Sequence, residues 1–291
     1  MYKRQELPPV LVSWLVFPLL GPLLKKGQHI KVDFLSPILS EKSKYILFLL
    51  VLKNFLLDLF VIMKKIVVLS GAGISAESGL KTFRDSDGLW ENHHIEDVAT
   101  IQAWERDPQL VLNFYNERRK QVNKAVPNKA HLSLVTLEKY FDVSIVTQNV
   151  DNLHEKAGSS KVLHLHGELS KAQSSKDSNL IYKLKDLEMK MGDTCDKGYQ
   201  LRNNIVWFGE PVPMIDVAIP KFQEADIAIV IGTSLSVYPA SGLINYLPPS
   251  SERYYIDPRG FENKSIKNFK IISSKAGEAV SEISNQLIKK I

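Results

Sequence analysis

The chain predicts an α/β fold built on a doubly wound parallel sheet, and three observations carry that prediction. Strand-like apolar runs alternate with helix-like segments from Lys65 to the C-terminus, the pattern of parallel strands joined by crossover helices. Some of the runs, such as "IAIVI" (227–231), are apolar throughout, which suits strands covered on both faces. Glycines stand immediately after the first run, in "SGAGIS", where a chain can turn tightly out of a strand.

The elements follow in order. "IVVL" (66–69) is the first strand. "DPQLVLNFYNERRKQV" (107–122) and "PNKAHLSLVTLEKY" (127–140) read as helices, each opened by a proline near its first turn. Strands are expected at 143–148, 161–167, 204–209, 226–232 and 253–257, and a closing amphipathic helix at 275–290. The chain has 291 residues, of which 44% are apolar and 24% charged, an ordinary composition for folded protein of one large or two smaller domains. A single cysteine, Cys195, excludes an internal disulfide framework and any paired-cysteine metal site. It is compatible with a reducing cytoplasm, and a cytoplasmic location is expected.

Residues 1–62 differ from the rest. They hold eight Lys or Arg against four Asp or Glu, hence four of the five net positive charges. The remainder is near neutral, so no nucleic-acid partner is expected. "VLVSWLVFPLLGPLL" is broken by Pro18, Gly21 and Pro22, and "YILFLLVLKNFLLDLFVIM" is interrupted by Lys53 and Asp58. Both are marginal against the roughly 20 uncharged residues of a membrane span. Three readings stand for this extension: sequence upstream of a natural start at Met63, a membrane anchor, or an accessory hairpin. Any membrane association runs through residues 1–62. The domain that carries the motifs is residues 63–291.

Five motifs follow in sequence. Gly71-x-Gly73-x-x-Ala76 fits a dinucleotide fingerprint, in which glycines let the backbone approach a pyrophosphate. The acid-tipped second strand such a fingerprint expects is missing. Instead "LKTFRDSDGLWENHHIEDVAT" reads as a loop folded over a ligand. "TQNVDNLHEKAG" (147–158) sets Gln148, Asn149 and Asp151 at a strand's C-terminal end, where open α/β sheets bind ligands. "HLHGEL" puts His164 and His166 on one strand face, and "VWFGE" (206–210) and "GTSLSVYPA" (232–240) complete the set. Taken singly, each is equally a glycine turn, a helix cap or a partnered histidine. Five in this order on one α/β chain are not explained that way.

Together "GAGIS…FR…GLW", "TQNVDNLHEKAG", "HLHGE", "VWFGE" and "GTSLSVYPA" resemble the sirtuins, NAD-dependent protein lysine deacylases, over residues 65–290. The resemblance implies a Rossmann-like large domain and a small second module, with NAD consumed as a co-substrate and acylated lysine side chains of proteins as partners. It implies that His166 is the general base, with Asn149 beside it in the reaction. Gly71, Ala72, Gly73, Ile74, Ser75, Phe83, Arg84 and Trp90 match the cofactor loop. Gln148, Asn149 and Asp151 match positions that hold ribose and carboxamide, and Gly232, Thr233 and Ser234 match the far side of the dinucleotide. Asp257 falls where an adenine-side ribose contact is expected, and Ala276 matches a late adenine contact. Val206, Trp207, Phe208 and Gly209 match the strand that pairs with the substrate peptide.

Two departures and one refinement follow. The family's four zinc-binding cysteines lie between "HGE" and "WFGE", in a segment that here spans about 168–203 and holds only Cys195. One thiolate cannot build that tetrahedral site, so no metal is expected, and Leu180, Leu184, Leu187 and Met191 suggest a helix-like apolar seam in its place. Asp257 replaces the Asn-containing strand end common in the family. Tyr115 and Arg118 match the Tyr-x-x-Arg of class III members, implying removal of succinyl and malonyl groups, with acetyl a further candidate. A guanidinium offers a fork to the acyl carboxylate. A mono-ADP-ribosyltransferase and a non-enzymatic NAD or ADP-ribose sensor remain the alternatives.

Overall fold

A computed structural model describes residues 63–81, 89–90, 93–259, 266 and 268–291. The extension 1–62, with its anchor and start-site readings, and the predicted cofactor residues Phe83 and Arg84 lie outside the described residues. Strand β1 (Lys65–Ser70) leads into a 3-10 helix at Ala72–Ser78 and then a short hairpin, β2 (Leu89–Trp90) and β3 (His93–His94). Helices α1 (Ile95–Val98), α2 (Ile101–Arg106), α3 (Pro108–Lys124) and α4 (Lys129–Leu137) follow. Strand β4 (Asp142–Thr147), helix α5 (Leu153–Ala157) and strand β5 (Val162–His164) come next, then β6 (Gly167–Ser174), β7 (Ile181–Lys183) and β8 (Leu201–Ile205). The chain closes with α6 (Met214–Gln223), β9 (Ile227–Ile231), a 3-10 helix at Ala240–Tyr246, β10 (Glu252–Ile256), β11 (Lys270–Ile272) and α7 (Ala276–Ile288).

Side chains set the helix starts. Asp107 accepts from the Leu110 amide at 2.9 Å and Pro108 occupies the first turn, where its missing N–H costs nothing. Asn128 and His131 form a reciprocal capping box on α4.

Six strands form one parallel sheet in the order β11-β10-β9-β1-β4-β5. From β1 the chain builds outward through β4 and β5. It then returns to the other side of β1 for β9, β10 and β11, so strand order reverses beside β1. That reversal opens a crevice at the carboxyl ends of the strands. Register aligns those ends: Ser70 pairs with Thr147 and Ile231, Thr147 with His164, and Ile231 with Ile256.

Alternate residues of the strands feed two cores. Ile66, Val68, Ile145, Ile229 and Ile256 pack with Leu134 and Leu137 of α4 and Val280, Ile283 and Leu287 of α7. Val67, Leu69, Val146 and Val230 face Ala218 and Phe222 of α6 and Leu243. The doubly wound prediction therefore holds, and both faces are covered.

Strand boundaries differ from the sequence reading at two places. The run 161–167 does not continue as one strand: β5 ends at His164, the chain bends through Leu165 and His166, and β6 starts a separate sheet. Gly167 makes this turn at φ +81°, and a Cβ there would lie 2.0 Å from the Asn204 carbonyl. The run 204–209 stops at Ile205, because the Val206 amide turns to the His166 carbonyl and the Phe208 amide to the Ala99 carbonyl. Helix α6 and strand β11 were not expected. Pro220 inside α6 and the brevity of β11 hid them.

The insert is an antiparallel sheet, β7-β6-β8, and not a helix. Ile181 to Lys183 run as β7, while Leu187 and Met191 are exposed. The apolar seam that does form uses Ala172 and Met189 against Leu112 of α3, with Leu184 beside them. Polar side chains of α3 add the larger tie. Arg119 donates through Nε to the Leu169 carbonyl (2.8 Å), through Nη1 to the Leu187 carbonyl (3.0 Å) and through Nη2 to Asn203 (2.5 Å). Asn116 pairs with both the amide and the carbonyl of Met189, at 3.0 and 2.9 Å. Cys195 is buried within the insert, its sulfur 3.5 Å from the Ser174 hydroxyl. Among the described residues no cluster of three or more His, Cys, Asp or Glu could hold a metal ion.

Candidate active site

Four strand ends deliver the site. Gly71 to Ser75 follow β1, Gln148 to Asp151 follow β4, His166 follows β5, and Gly232 to Ser234 follow β9. The loops after β1 and β9 interlock through glycine. Gly71 donates to the Ile231 carbonyl and Gly73 to the Gly232 carbonyl, both at 2.9 Å. A Cβ on Gly73 would sit 2.6 Å from the Gly232 Cα, and one on Gly232, at φ +59°, 2.5 Å from the Ile74 amide. Only glycine fits at this crossing.

Around the crossing lies a set of buried polar side chains. Ser75, Asn149, Asp151 and Thr233 are each less than a tenth exposed. Ser75 donates to Asp151 (3.0 Å), and the Asn149 amide donates to the Gly71 carbonyl (3.1 Å) and the Ser75 hydroxyl (3.2 Å). Gln148 reaches across the crevice to the Thr233 hydroxyl (3.0 Å). Burial raises the Asp151 pKa, while the Leu153 amide and Ser75 work against that rise. Hydroxyls, carboxamides and one carboxylate beside a glycine crossing fit a dinucleotide's ribose and carboxamide groups.

His166 stands partly buried at the rim. Its Nδ1 lies 3.0 Å from the Gln148 carbonyl, which can only accept, so Nδ1 carries the proton. The neutral ring then presents its lone pair at Nε2. Burial lowers its pKa, against a smaller opposing effect of the Gln148 carbonyl, so the ring is neutral at pH 7. That is the protonation state a general base needs.

The remaining predicted residues lie on α3, in the segment after β8, at the end of β10, at the start of α7 and on β2. Tyr115 and Arg118 are buried on α3, and the Tyr115 hydroxyl accepts from Trp207 Nε1 at 3.1 Å. Burial drives the Tyr115 pKa far up, so the phenol stays protonated. Arg118 donates to Gln121 at 3.0 Å. Trp207 is buried and Phe208 half exposed, so the Val206–Gly209 segment faces both ways. Asp257 is buried at the end of β10 and accepts from the Arg259 amide at 3.0 Å. Ala276 opens α7, whose Gly277 amide donates to Glu77 of the loop after β1 at 2.7 Å. Trp90 lies on β2.

Sequence reasoning missed the residues that fix Trp207. Glu210 accepts from the Trp207 amide (2.8 Å) and from Arg202 (2.6 Å), and the Arg202 guanidinium lies 4.0 Å over the indole. Glu210 was visible as the last letter of "VWFGE"; Arg202 had no signal. A buried chain beneath the crevice was missed as well: His154 Nε2 meets the Ser70 hydroxyl at 2.9 Å, and Ser70 donates to Thr147, which accepts from the Asn149 amide.

The chain is similar to known proteins. A model of the Sir2 family matches residues 71–239. A Bacteroides thetaiotaomicron protein named NAD-dependent protein deacylase is 51% identical over 231 residues, covering 78% of this chain and 99% of that protein. A Helicobacter pylori protein of the same name is 50% identical over 227 residues, covering 78% and 99%. The solved structure of a Sir2 homologue in complex with NAD superposes with a TM-score of 0.71 at 37% identity, covering 81% of this chain and 94% of that one.

Proposed function

Because this chain belongs to the Sir2 family, we propose that it is an NAD-dependent protein-lysine deacylase that removes succinyl, malonyl and acetyl groups, giving nicotinamide and O-acyl-ADP-ribose. The observation that carries the reading is His166: a neutral imidazole at the crevice rim, tied through Nδ1 and basic at Nε2.

The residues fit NAD. Gly71, Gly73 and Gly232 form the crossing that brings main chain to the dinucleotide, and Ser75, Gln148, Asn149, Asp151 and Thr233 supply the polar set around it. When bound, NAD supplies an electrophilic ribose carbon with nicotinamide as its leaving group. Asn149, held from three sides, orients the reacting end. His166 takes a proton from a hydroxyl at Nε2, and the Gln148 carbonyl stabilises the imidazolium that results. Phe208, exposed next to the buried Trp207, gives the acyl-lysine stem an apolar wall.

Acyl preference is read from α3. The Tyr115 hydroxyl touches Trp207, and the Arg118 charge reaches both Tyr115 and Asp151. This supports Arg118 as the partner of a distal acyl carboxylate. The test is mass spectrometry of acetyl-, malonyl- and succinyl-lysine peptides incubated with NAD. Wild-type enzyme is expected to deacylate them. His166→Ala should slow turnover about 100- to 10,000-fold while still binding NAD. Arg118→Met should lower kcat/KM for succinyl-lysine roughly 10- to 200-fold and spare acetyl-lysine. Equal losses on both acyl groups would sink the acyl assignment, and near-normal turnover by His166→Ala would sink the base.

A further inference from the structure

His164 and His166 are two residues apart, and both turn Nδ1 toward the loop after β4. His166 meets the carbonyl of Gln148 and His164 the carbonyl of Asn149, at 3.0 and 2.9 Å. Two alternate histidines thus hold two consecutive carbonyls. The deacylation chemistry uses only His166.

The surroundings of the two rings differ. Nε2 of His164 lies 2.8 Å from Glu155 Oε1, on α5. Both nitrogens of His164 therefore face oxygens that only accept, and both carry protons. Burial alone would lower its pKa, but the Glu155 carboxylate and the Asn149 carbonyl outweigh burial, and the net shift is upward. His166 lacks such a carboxylate and shifts downward. Other ionisable groups near His164 are Asp151, His154 and Glu168, and Lys171 faces Glu155 from β6. One histidine of the pair is built as a cation and the other as a base.

The cation has a mechanical consequence. β5 is an edge strand of three residues, and it pairs with β4 only as far as His164. Beyond that point the main chain holds the loop after β4 at Gln148, whose amide donates to the Ser70 carbonyl, and at Val150, whose carbonyl accepts from the Leu169 amide. The Gln148, Asn149 and Val150 carbonyls accept in turn from His166, from His164 and from the Leu169 amide. The Asn149 carbonyl sets ψ of that residue, whose side chain meets the Gly71 carbonyl and the Ser75 hydroxyl.

We propose that His164, clamped by Glu155, is a positioning residue for deacylation: its Nδ1–H locks the Asn149 carbonyl and so aims the Asn149 side chain at the reacting ribose. The inference rests on the deacylase reading. It adds two residues, His164 and Glu155, that act on the reaction through Asn149.

The experiment compares His164→Ala, His164→Asn and Glu155→Gln with the wild type by steady-state kinetics on an acetyl-lysine peptide, alongside thermal melts. A hydrogen bond from a charged donor is worth about 10- to 100-fold in rate when it acts in the transition state. His164→Ala should lose about that factor in kcat, with KM for NAD and peptide within about threefold of wild type. His164→Asn keeps a side-chain N–H for the same carbonyl and should recover most of the loss. Glu155→Gln removes the clamp's charge at nearly constant size and should give a smaller loss, again in kcat. Nitrogen-15 NMR of the histidine rings supplies a readout independent of turnover and should find Nδ1 of His164 protonated at pH 7. The proposal is overturned by a His164→Ala kcat within about twofold of wild type. It is equally overturned by a loss that tracks the melting temperature and is not relieved by asparagine, or by an unprotonated Nδ1. Wild-type enzyme inactive on every acyl peptide would instead overturn the deacylase reading, and the NMR result would stand apart from it.

Discussion

At the carboxyl edge of the large sheet, the loops after β1 and β9 touch at glycines: Gly73 against the Gly232 main chain, Gly71 against the Gly232 carbonyl and Thr233, with no room for a methyl group between them. In the insert, strand β6 at Leu169 and the loop around Leu187 and Met189 are gathered by side chains, chiefly the Arg119 guanidinium and the Asn116 amide reaching out of α3. The first region admits a single amino acid at each contact. The second tolerates any donor of the right reach, and it therefore has no fixed letters to read. A site made of backbone approach is written in the sequence as glycines. A module made of long polar side chains is written as an ordinary helix surface.

The comparison breaks most visibly at the glycine crossing. In Gly73→Ala the new Cβ lies inside the Gly232 backbone, and neither partner has a flexible end that can move away. Shifts of about 1 Å near reacting groups cost about 100-fold, and overpacking costs about 1–3 kcal/mol. The expected result is a loss of roughly 100-fold in kcat/KM for NAD with a modest fall in Tm. Isothermal titration with NAD and a thermal melt measure both. An alanine variant that binds NAD as wild type does would show that the crossing can relax.

The same contrast explains what was legible beforehand. Gly71, Gly73, Gly232 and His166 sit at strand ends, where few residue types work, and their motifs pointed to one crevice that the sheet order then created. The insert was misread for a physical reason. Leu180, Leu184, Leu187 and Met191 have helical spacing, but Leu187 and Met191 are exposed and the pairing of β7 with β6 decides the backbone instead. Arg119 and Asn116 lie three apart on α3, as do Tyr115 and Arg118, so spacing alone could not say which pair faces the crevice and which the insert. His164 carried the right letter and no sign of its partner, because Glu155 is nine residues away on another element.

A second substitution sharpens the comparison from the other side. Arg119 is buried, and burial holds its pKa down at about 10, so it remains charged at pH 7. Arg119→Met keeps the apolar stem and strips the donors from the Leu169 and Leu187 carbonyls and from Asn203. Each buried acceptor left unpaired costs about 1–3 kcal/mol, so a loss of about 3 kcal/mol or more concentrated in the insert is expected. Limited proteolysis should cut first between Ser175 and Tyr199, while NAD affinity stays within about twofold. Proteolysis spread evenly over the chain, or a large loss of NAD affinity, would mean that the two regions are not separable.

The smallest expected effect is none at all, and it concerns metal. The family's zinc module has four thiolates; this insert has Cys195 alone, and its sulfur faces Ser174. The ties that gather the insert are Arg119, Asn116 and the Leu112, Ala172 and Met189 seam, none of which a chelator can remove. Structural zinc contributes folding energy outright, so its removal unfolds a module that depends on it. Dialysis against EDTA should accordingly leave Tm and deacylase turnover unchanged, and elemental analysis should find less than stoichiometric zinc. Zinc at one per chain, lost to EDTA together with the fold of the insert, would mean that His or carboxylate ligands stand in for the cysteines. Side chains of α3 would then be secondary to a metal, and the contrast between the two regions would rest on the wrong residues.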